Sequence, residues 1–119
     1  TQLFFDNQDF FRFRDRCWAL GITIPIVPGI LPAQSAEQLN RLGQLCGAKM
    51  PADLLKRLSL QPDSEGQAAI GVDFATQQVR ELIDADVPGI HFYVLNQSRA
   101  TKQVLTNLGF EQHVVGSAT

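Results

Sequence analysis

Ile24-Pro25-Ile26-Val27-Pro28-Gly29-Ile30-Leu31-Pro32 is the stretch on which the fold turns. From Thr23 to Val27 every residue except Pro25 is β-branched, a composition that packs well on a pleated sheet. The run is apolar on both faces rather than alternating, as expected of a parallel strand covered on each side. Pro28 has no N–H to donate and Gly29 tolerates a positive φ, so the pair is expected to stop the strand. Ser35 then stands as an N-cap, and Gln38, three residues on, completes a capping box with Glu37 in the first turn. Strand, tight Pro/Gly loop and capped helix form one βα unit. Its loop lies at the strand's C-terminal end, where α/β enzymes keep their chemistry.

Two further units flank it. Residues 1–5 read as the end of a strand, and Asp6 or Asn7 can cap the helix that follows, with Asp9 at the positive end of its dipole. Phe10, Phe13, Cys17 and Leu20 recur at helical spacing, widened by Phe11 and Trp18, and Gly21 is placed to end the helix. Arg12, Arg14 and Arg16, with Asp15 among them, read as a solvated helix face. After the central unit, Leu39, Leu42, Leu45 and Cys46 line one helix that Gly47 closes. Pro51 opens a short helix over 51–58, and Gln61-Pro62-Asp63-Ser64-Glu65-Gly66 reads as a loop. A long helix is expected over 67–85, with Ile70, Phe74, Val79, Leu82 and Ile83 on a broad face. Gly71 inside it weakens the helix unless a neighbour packs closely there. The last unit has a strand over 90–95, a loop of Asn96-Gln97-Ser98 and a helix over 99–108 ending at Gly109.

Strands alternating with helices imply a parallel sheet, and right-handed crossovers put the helices on one face. Three strands covered on one face leave the other bare, so the α/β arrangement expected is the last three βα units of a (β/α)8 TIM barrel. Residues 1–109 are then the C-terminal part of a TIM-barrel catalytic domain, and 110–119 a tail without periodicity. A chain entering on a strand at Thr1 reads as a piece of something longer.

Composition excludes several classes. A net charge of −2 over 119 residues leaves no basic stripe for nucleic acid. Apolar runs are cut by Pro and Gly well short of a membrane span, so no membrane partner is expected. Cys17 and Cys46 have neither metal nor redox spacing and fit buried thiols in a reducing cytoplasm. No nucleophile–base pair, paired carboxylates or phosphate loop stands out, and no lysine lies at a strand end to form a Schiff base. What the strand ends do carry is amides: Gln2, Gln38, Asn96 and Gln97, with Asp6 and Arg99 beside them. Asp6 reads equally as a cap, Gln38 as the capping-box partner and Asn96 as a turn residue. For Gln2, a ligand-binding and a structural role stand level. His91 and Tyr93 share a face of the last strand, with His91 read as a hydrogen-bonded structural residue. Chemistry alone gives an amide-rich rim for a neutral heterocycle.

Thr1-Gln2-Leu3-Phe4-Phe5-Asp6, Phe11-Arg12-Phe13-Arg14-Asp15-Arg16-Cys17, Pro28-Gly29-Ile30-Leu31-Pro32 and His91-Phe92-Tyr93-Val94-Leu95-Asn96 resemble the methylenetetrahydrofolate reductase family, in order and in spacing. The resemblance implies an FAD enzyme in which NAD(P)H reduces the flavin. The flavin then reduces 5,10-methylenetetrahydrofolate to 5-methyltetrahydrofolate, in one-carbon metabolism and methionine biosynthesis. It places Gln2 on the pterin, in the site shared with the nicotinamide of the co-substrate, and Gln38 on the folate. Gln97 falls where familiar bacterial members have an arginine that meets the folate's glutamate carboxylates, a departure that leaves tail recognition to Gln97 or to Arg99. Leu42 stands where some members have an aromatic that stacks on the ligand. The family's general acid and nearly all FAD contacts belong to strands that precede Thr1, so the remainder of the barrel is an implied partner. The full-length enzyme is expected to be a homo-oligomer and this chain alone to be inactive. From a different class, the chain reads as a non-catalytic module that completes a barrel with another polypeptide, since open strand edges recruit strands.

Overall fold

The computed structural model describes residues 1–47, 49–94 and 99–110, with the backbone alone described at Cys46. Helix starts follow the capping chemistry of the sequence. The first helix, α1 (Asn7–Ala19), begins where the Asp6 carboxylate accepts the Gln8 N–H at 2.9 Å. It ends in a left-handed Gly21 (φ 83°), with the Ile22 N–H reaching back to the Cys17 carbonyl at 2.9 Å. Ser35 caps α2 (Ala36–Cys46), its Oγ accepting the Gln38 N–H at 3.0 Å, and left-handed Gly47 closes the helix. In α3 (Ala52–Leu60), Pro51 is the N-cap rather than the first helical residue. The long helix α4 (Ser64–Asp84) starts three residues earlier than its apolar periodicity indicates. Asp63 Oδ1 accepts the Gly66 N–H at 2.8 Å, so Ser64, Glu65 and Gly66 join the helix and the expected loop shrinks to Gln61-Pro62-Asp63. The last helix is α5 (Arg99–Asn107). The tail over 111–119, Leu95 of the last strand and its Asn96-Gln97-Ser98 loop lie outside the described residues, as does the Cys46 side chain.

The sheet is small and parallel. Strands β1 (Gly29–Ile30) and β2 (His91–Phe92) pair with Gly29 opposite His91 and Ile30 opposite Phe92. On the other side of Gly29, Leu3 makes a parallel bridge. The three segments therefore lie side by side in chain order, Gly29 in the middle, with helices in each connection. Pairing begins at Gly29, where the sequence reading expected the strand to stop, and residues 23–27 are unpaired. The reason is steric. A Cβ on Gly29 would lie 2.6 Å from both the Thr1 carbonyl oxygen and the Tyr93 ring, so only glycine admits neighbours this close on both sides. Pro28 has no N–H for the ladder, yet its carbonyl accepts the His91 N–H at 2.9 Å. Ile24, expected to be covered on both faces, is instead 68% exposed.

Two apolar cores form, and α4 borders both. Phe4, Phe10 and Ile30 pack with Val72, Ala75, Val79 and Leu82 of α4 and Val104 of α5. Phe5, Ala33 and Leu39 pack with Leu54 and Leu58 of α3, against Ile70 and Phe74 of α4. Adjacent Phe4 and Phe5 thus point into different cores, the period-2 alternation of an extended chain. A buried amide pair ties this segment to α4: Gln78 Nε2 donates to the Phe4 carbonyl at 2.9 Å, and Asn7 Nδ2 donates to the Gln78 carbonyl at 3.0 Å. The apolar stripe of α1 is buried only at Phe10 and Cys17, leaving Phe13, Trp18 and Leu20 exposed. Arg14, expected on a solvated face, lies over the Trp18, Phe11 and Phe10 rings at 4.6, 5.0 and 6.0 Å from their centroids.

Gly71 has the neighbour its position in a helix calls for. A Cβ there would overlap the Ala33 carbonyl group in the loop after β1. The helix backbone and that loop are in direct contact, which fixes the height of the loop over the sheet.

Candidate functional site

The loops after Leu3, β1 and β2 share one rim because the three segments run parallel. Gln2 lies one residue before the bridge at Leu3 and is exposed. Its backbone neighbourhood is tightly held: Tyr93 Oη donates to the Thr1 carbonyl at 2.7 Å, and the Gly29 N–H donates to Thr1 Oγ at 3.0 Å. With Thr1, Phe4, Asp9, Phe10 and Phe13 it lines a cavity of about 380 Å³. Phe4 and Phe10 stack in one wall of it, 5.5 Å between centroids and 17° between planes. An aromatic wall beside a carboxamide suits a planar heterocycle, since the amide offers a donor and an acceptor to the ring edge. Sequence periodicity assigned Phe10 and Phe13 to the helix core alone. Their place at the helix start nearest Gln2 was the available signal.

Gln38, in the first turn of α2, is half-buried. Its Oε1 accepts the Gln34 N–H at 2.8 Å, one residue upstream of the N-cap N–H that a capping box would use. It borders a crevice of about 10 Å³ with Leu31, Pro32, Gln34, Tyr93, Ala100 and Thr101, space for a single water. Tyr93 therefore stands between the peptide of Gln2 and the side chain of Gln38. The ring of exposed His91 meets that of Tyr93 edge-on at 4.7 Å. Arg99, the first residue of α5, is exposed and lines a separate cavity of about 730 Å³ with Gln34, Glu65, Asp73, Gln103 and Asn107. The structure thus brings Gln38 to Tyr93 and Tyr93 to the Gln2 segment, while Arg99 faces a different cavity. Gln97 lies outside the described residues. Asp6 acts as the α1 cap. Leu42 lies on α2 and is half-buried.

Among the described residues no group of three His, Cys, Asp or Glu side chains could hold a metal ion. No helix among them is long and apolar enough to cross a membrane.

The family model for methylenetetrahydrofolate reductase matches residues 1–109, from the segment carrying Gln2 to the end of α5 and Gly109. The chain belongs to the methylenetetrahydrofolate reductase family. It is 34% identical over 110 residues to 5,10-methylenetetrahydrofolate reductase of Escherichia coli K12, covering 92% of this chain and 37% of the relative. It is equally 34% identical over 110 residues to methylenetetrahydrofolate reductase (NADH) 1 of Arabidopsis thaliana, covering 92% of this chain and 19% of that protein. Against the enzyme of Pectobacterium carotovorum the identity is 35% over 115 residues, 96% of this chain and 39% of the relative. The chain therefore spans less than half the length of each of these relatives.

Proposed function

We propose that residues 1–109 are the C-terminal part of the (β/α)8 catalytic barrel of a cytoplasmic, homo-oligomeric, FAD-dependent oxidoreductase acting on a CH–NH group. It reduces 5,10-methylenetetrahydrofolate to 5-methyltetrahydrofolate with NAD(P)H. The observation that carries this reading is the family match through residues 1–109, on segments that pair in parallel and in chain order. In this reading Gln2, beside the Phe4–Phe10 stack, holds the edge of the pterin or of the nicotinamide. Gln38 contacts the same folate further along, and Gln97 or Arg99 serves its carboxylate tail.

The loops after Leu3 and β1 offer no cradle for the pyrophosphate of FAD. A pyrophosphate needs free backbone N–H groups or cations. Here the Gln8 N–H goes to Asp6, and the Gln34, Ala36 and Gln38 N–H groups go to Gln38, Gln67 and Ser35 side chains. This chain's contribution is substrate recognition, and the flavin is held by the rest of the barrel.

The test is purification of the full-length gene product. Flavin absorbance and methylenetetrahydrofolate-dependent oxidation of NAD(P)H are expected. A colourless product without that activity overturns the reading. The 119-residue chain alone is expected to retain no added FAD and to oxidise no NAD(P)H. A yellow, active preparation of it would move the cofactor site into this segment.

A second reading, a non-catalytic module that completes a barrel with another polypeptide, draws on the exposed Phe13, Trp18, Leu20 and Ile24. Sizing the chain with and without the remaining barrel as a separate polypeptide separates the two. Co-elution with an inactive partner favours the module.

A further inference from the structure

We propose that Gln38 reads its ligand in one direction only, as a hydrogen-bond donor to an acceptor atom, and that Gln67 is a positioning residue that holds it in that polarity. The inference rests on the substrate-recognition reading above and deepens it. The polarity follows from the Gln38–Gln34 hydrogen bond. The Gln34 N–H donates to Gln38 Oε1 at 2.8 Å. A backbone N–H can face only an acceptor, so the carboxamide cannot turn over without setting its NH2 against another N–H. Its oxygen is committed inward, and Nε2 is the end left for a ligand. Among the described residues Nε2 has no protein partner, and the half-buried side chain borders the small crevice beside Tyr93.

The turn that carries this lock is itself gripped by α4 at two points, one helical turn apart. Gln67 Oε1 accepts the Ala36 N–H at 3.0 Å, and Gln67 Nε2 donates to the Gln61 carbonyl at 3.1 Å. That carboxamide is also fixed in orientation, because one end meets a donor and the other an acceptor. One turn on, Gly71 lets the Ala33 carbonyl rest on the helix backbone. Residues 33–36 are thereby pinned to α4, and Gln38 follows on the first turn of α2. The ligand group opposite Gln38 is then a carbonyl, a carboxylate or an unprotonated ring nitrogen. A ligand presenting N–H at that point meets N–H and is rejected. Gln2 shows no such lock among the described residues and can read either polarity.

The test uses the full-length gene product. Gln38→Glu keeps an oxygen for the Gln34 N–H and turns the outer end into an acceptor; Gln38→Met removes both functions. The melting midpoint should hold in Gln38→Glu and fall in Gln38→Met; an equal fall in both overturns the lock whatever the substrate is. The KM for 5,10-methylenetetrahydrofolate should rise about tenfold or more in Gln38→Glu, with flavin content unchanged. A wild-type enzyme that turns over this folate, with Gln38→Glu at the same KM, overturns the donor assignment and leaves the functional reading standing. Gln67→Ala should raise the KM in the wild-type background but not further in Gln38→Glu. Gln67→Glu, which keeps the acceptor for the Ala36 N–H but loses the donor to the Gln61 carbonyl, should recover only part of it. The same factor in both backgrounds would make Gln67 merely structural and overturn its positioning role.

Discussion

At position 71 a hydrogen atom does what no side chain could. Glycine inside an exposed helix normally loses about 1 kcal/mol relative to alanine. Here a methyl group would meet the Ala33 carbonyl, a backbone atom that cannot rotate away. The sign of the substitution is therefore diagnostic: Gly71→Ala should destabilise by about 2 kcal/mol or more, read as a lower urea midpoint. A gain in stability would mean that α4 does not rest on the loop after β1. The second prediction at this scale concerns Gln2. Gln2→Glu keeps an acceptor but loses both amide N–H donors, leaving a ligand acceptor unpaired at about 1–3 kcal/mol. In the full-length protein, folate turnover should fall while FAD stays bound. Unchanged steady-state kinetics with both substrates would make Gln2 a structural residue.

Among the elements, helix ends were legible in the sequence and strands were not. Asp6, Ser35, Gly21, Gly47 and Gly109 mark helix ends through chemistry confined to a few neighbouring residues, and each stands at or beside an end in the structure. Asp63 shows the limit. Flanked by Pro62 and Gly66 it read as part of a loop, yet its carboxylate caps α4, which begins inside that loop. Strand extent depends on partners far along the chain. Residues 23–27 have strand composition and no ladder partner, the Val27 carbonyl alone meeting the Thr1 amino group at 2.7 Å, while Gly29 has two because it has no side chain. One helix end carries a conformation that its residue does not favour. Asp86 follows α4 at φ 59°, with the Val87 N–H reaching the Leu82 carbonyl at 3.4 Å. A left-handed residue with a Cβ loses about 1–2 kcal/mol. Asp86→Gly should therefore stabilise the protein by about 1 kcal/mol, seen as a raised melting temperature. A fall would show that the Asp86 side chain contributes more than its backbone costs.

For the whole molecule, the order of elements was readable because alternating patterns survive errors in element length, whereas the division of the interior was not. A broad apolar face on α4 was evident from its spacing. Its use as a wall between two cores, with Val72, Ala75, Val79 and Leu82 on one side and Ile70 and Phe74 on the other, depends on where α3 and α5 dock. The candidate site was legible as residue types at segment ends; which of them share a cavity was set by the same docking. The Gln2 cavity and the Arg99 cavity are separate for that reason.

A molecule with two cores hung on one helix need not open all at once. The part built on Leu39, Leu54 and Leu58 can swing away while Phe4, Ile30, Leu82 and Val104 stay together, since each group closes on its own face of α4. Deuterium uptake followed through a denaturant series should therefore resolve two subglobal openings. Amides of α2 and α3 should share one free energy, and those of β1, β2 and α5 a second. A single common isotherm would mean that α4 transmits the loss of either core to the other. Two isotherms would mean that the face carrying Gln38 can breathe while the segment carrying Gln2 keeps its shape.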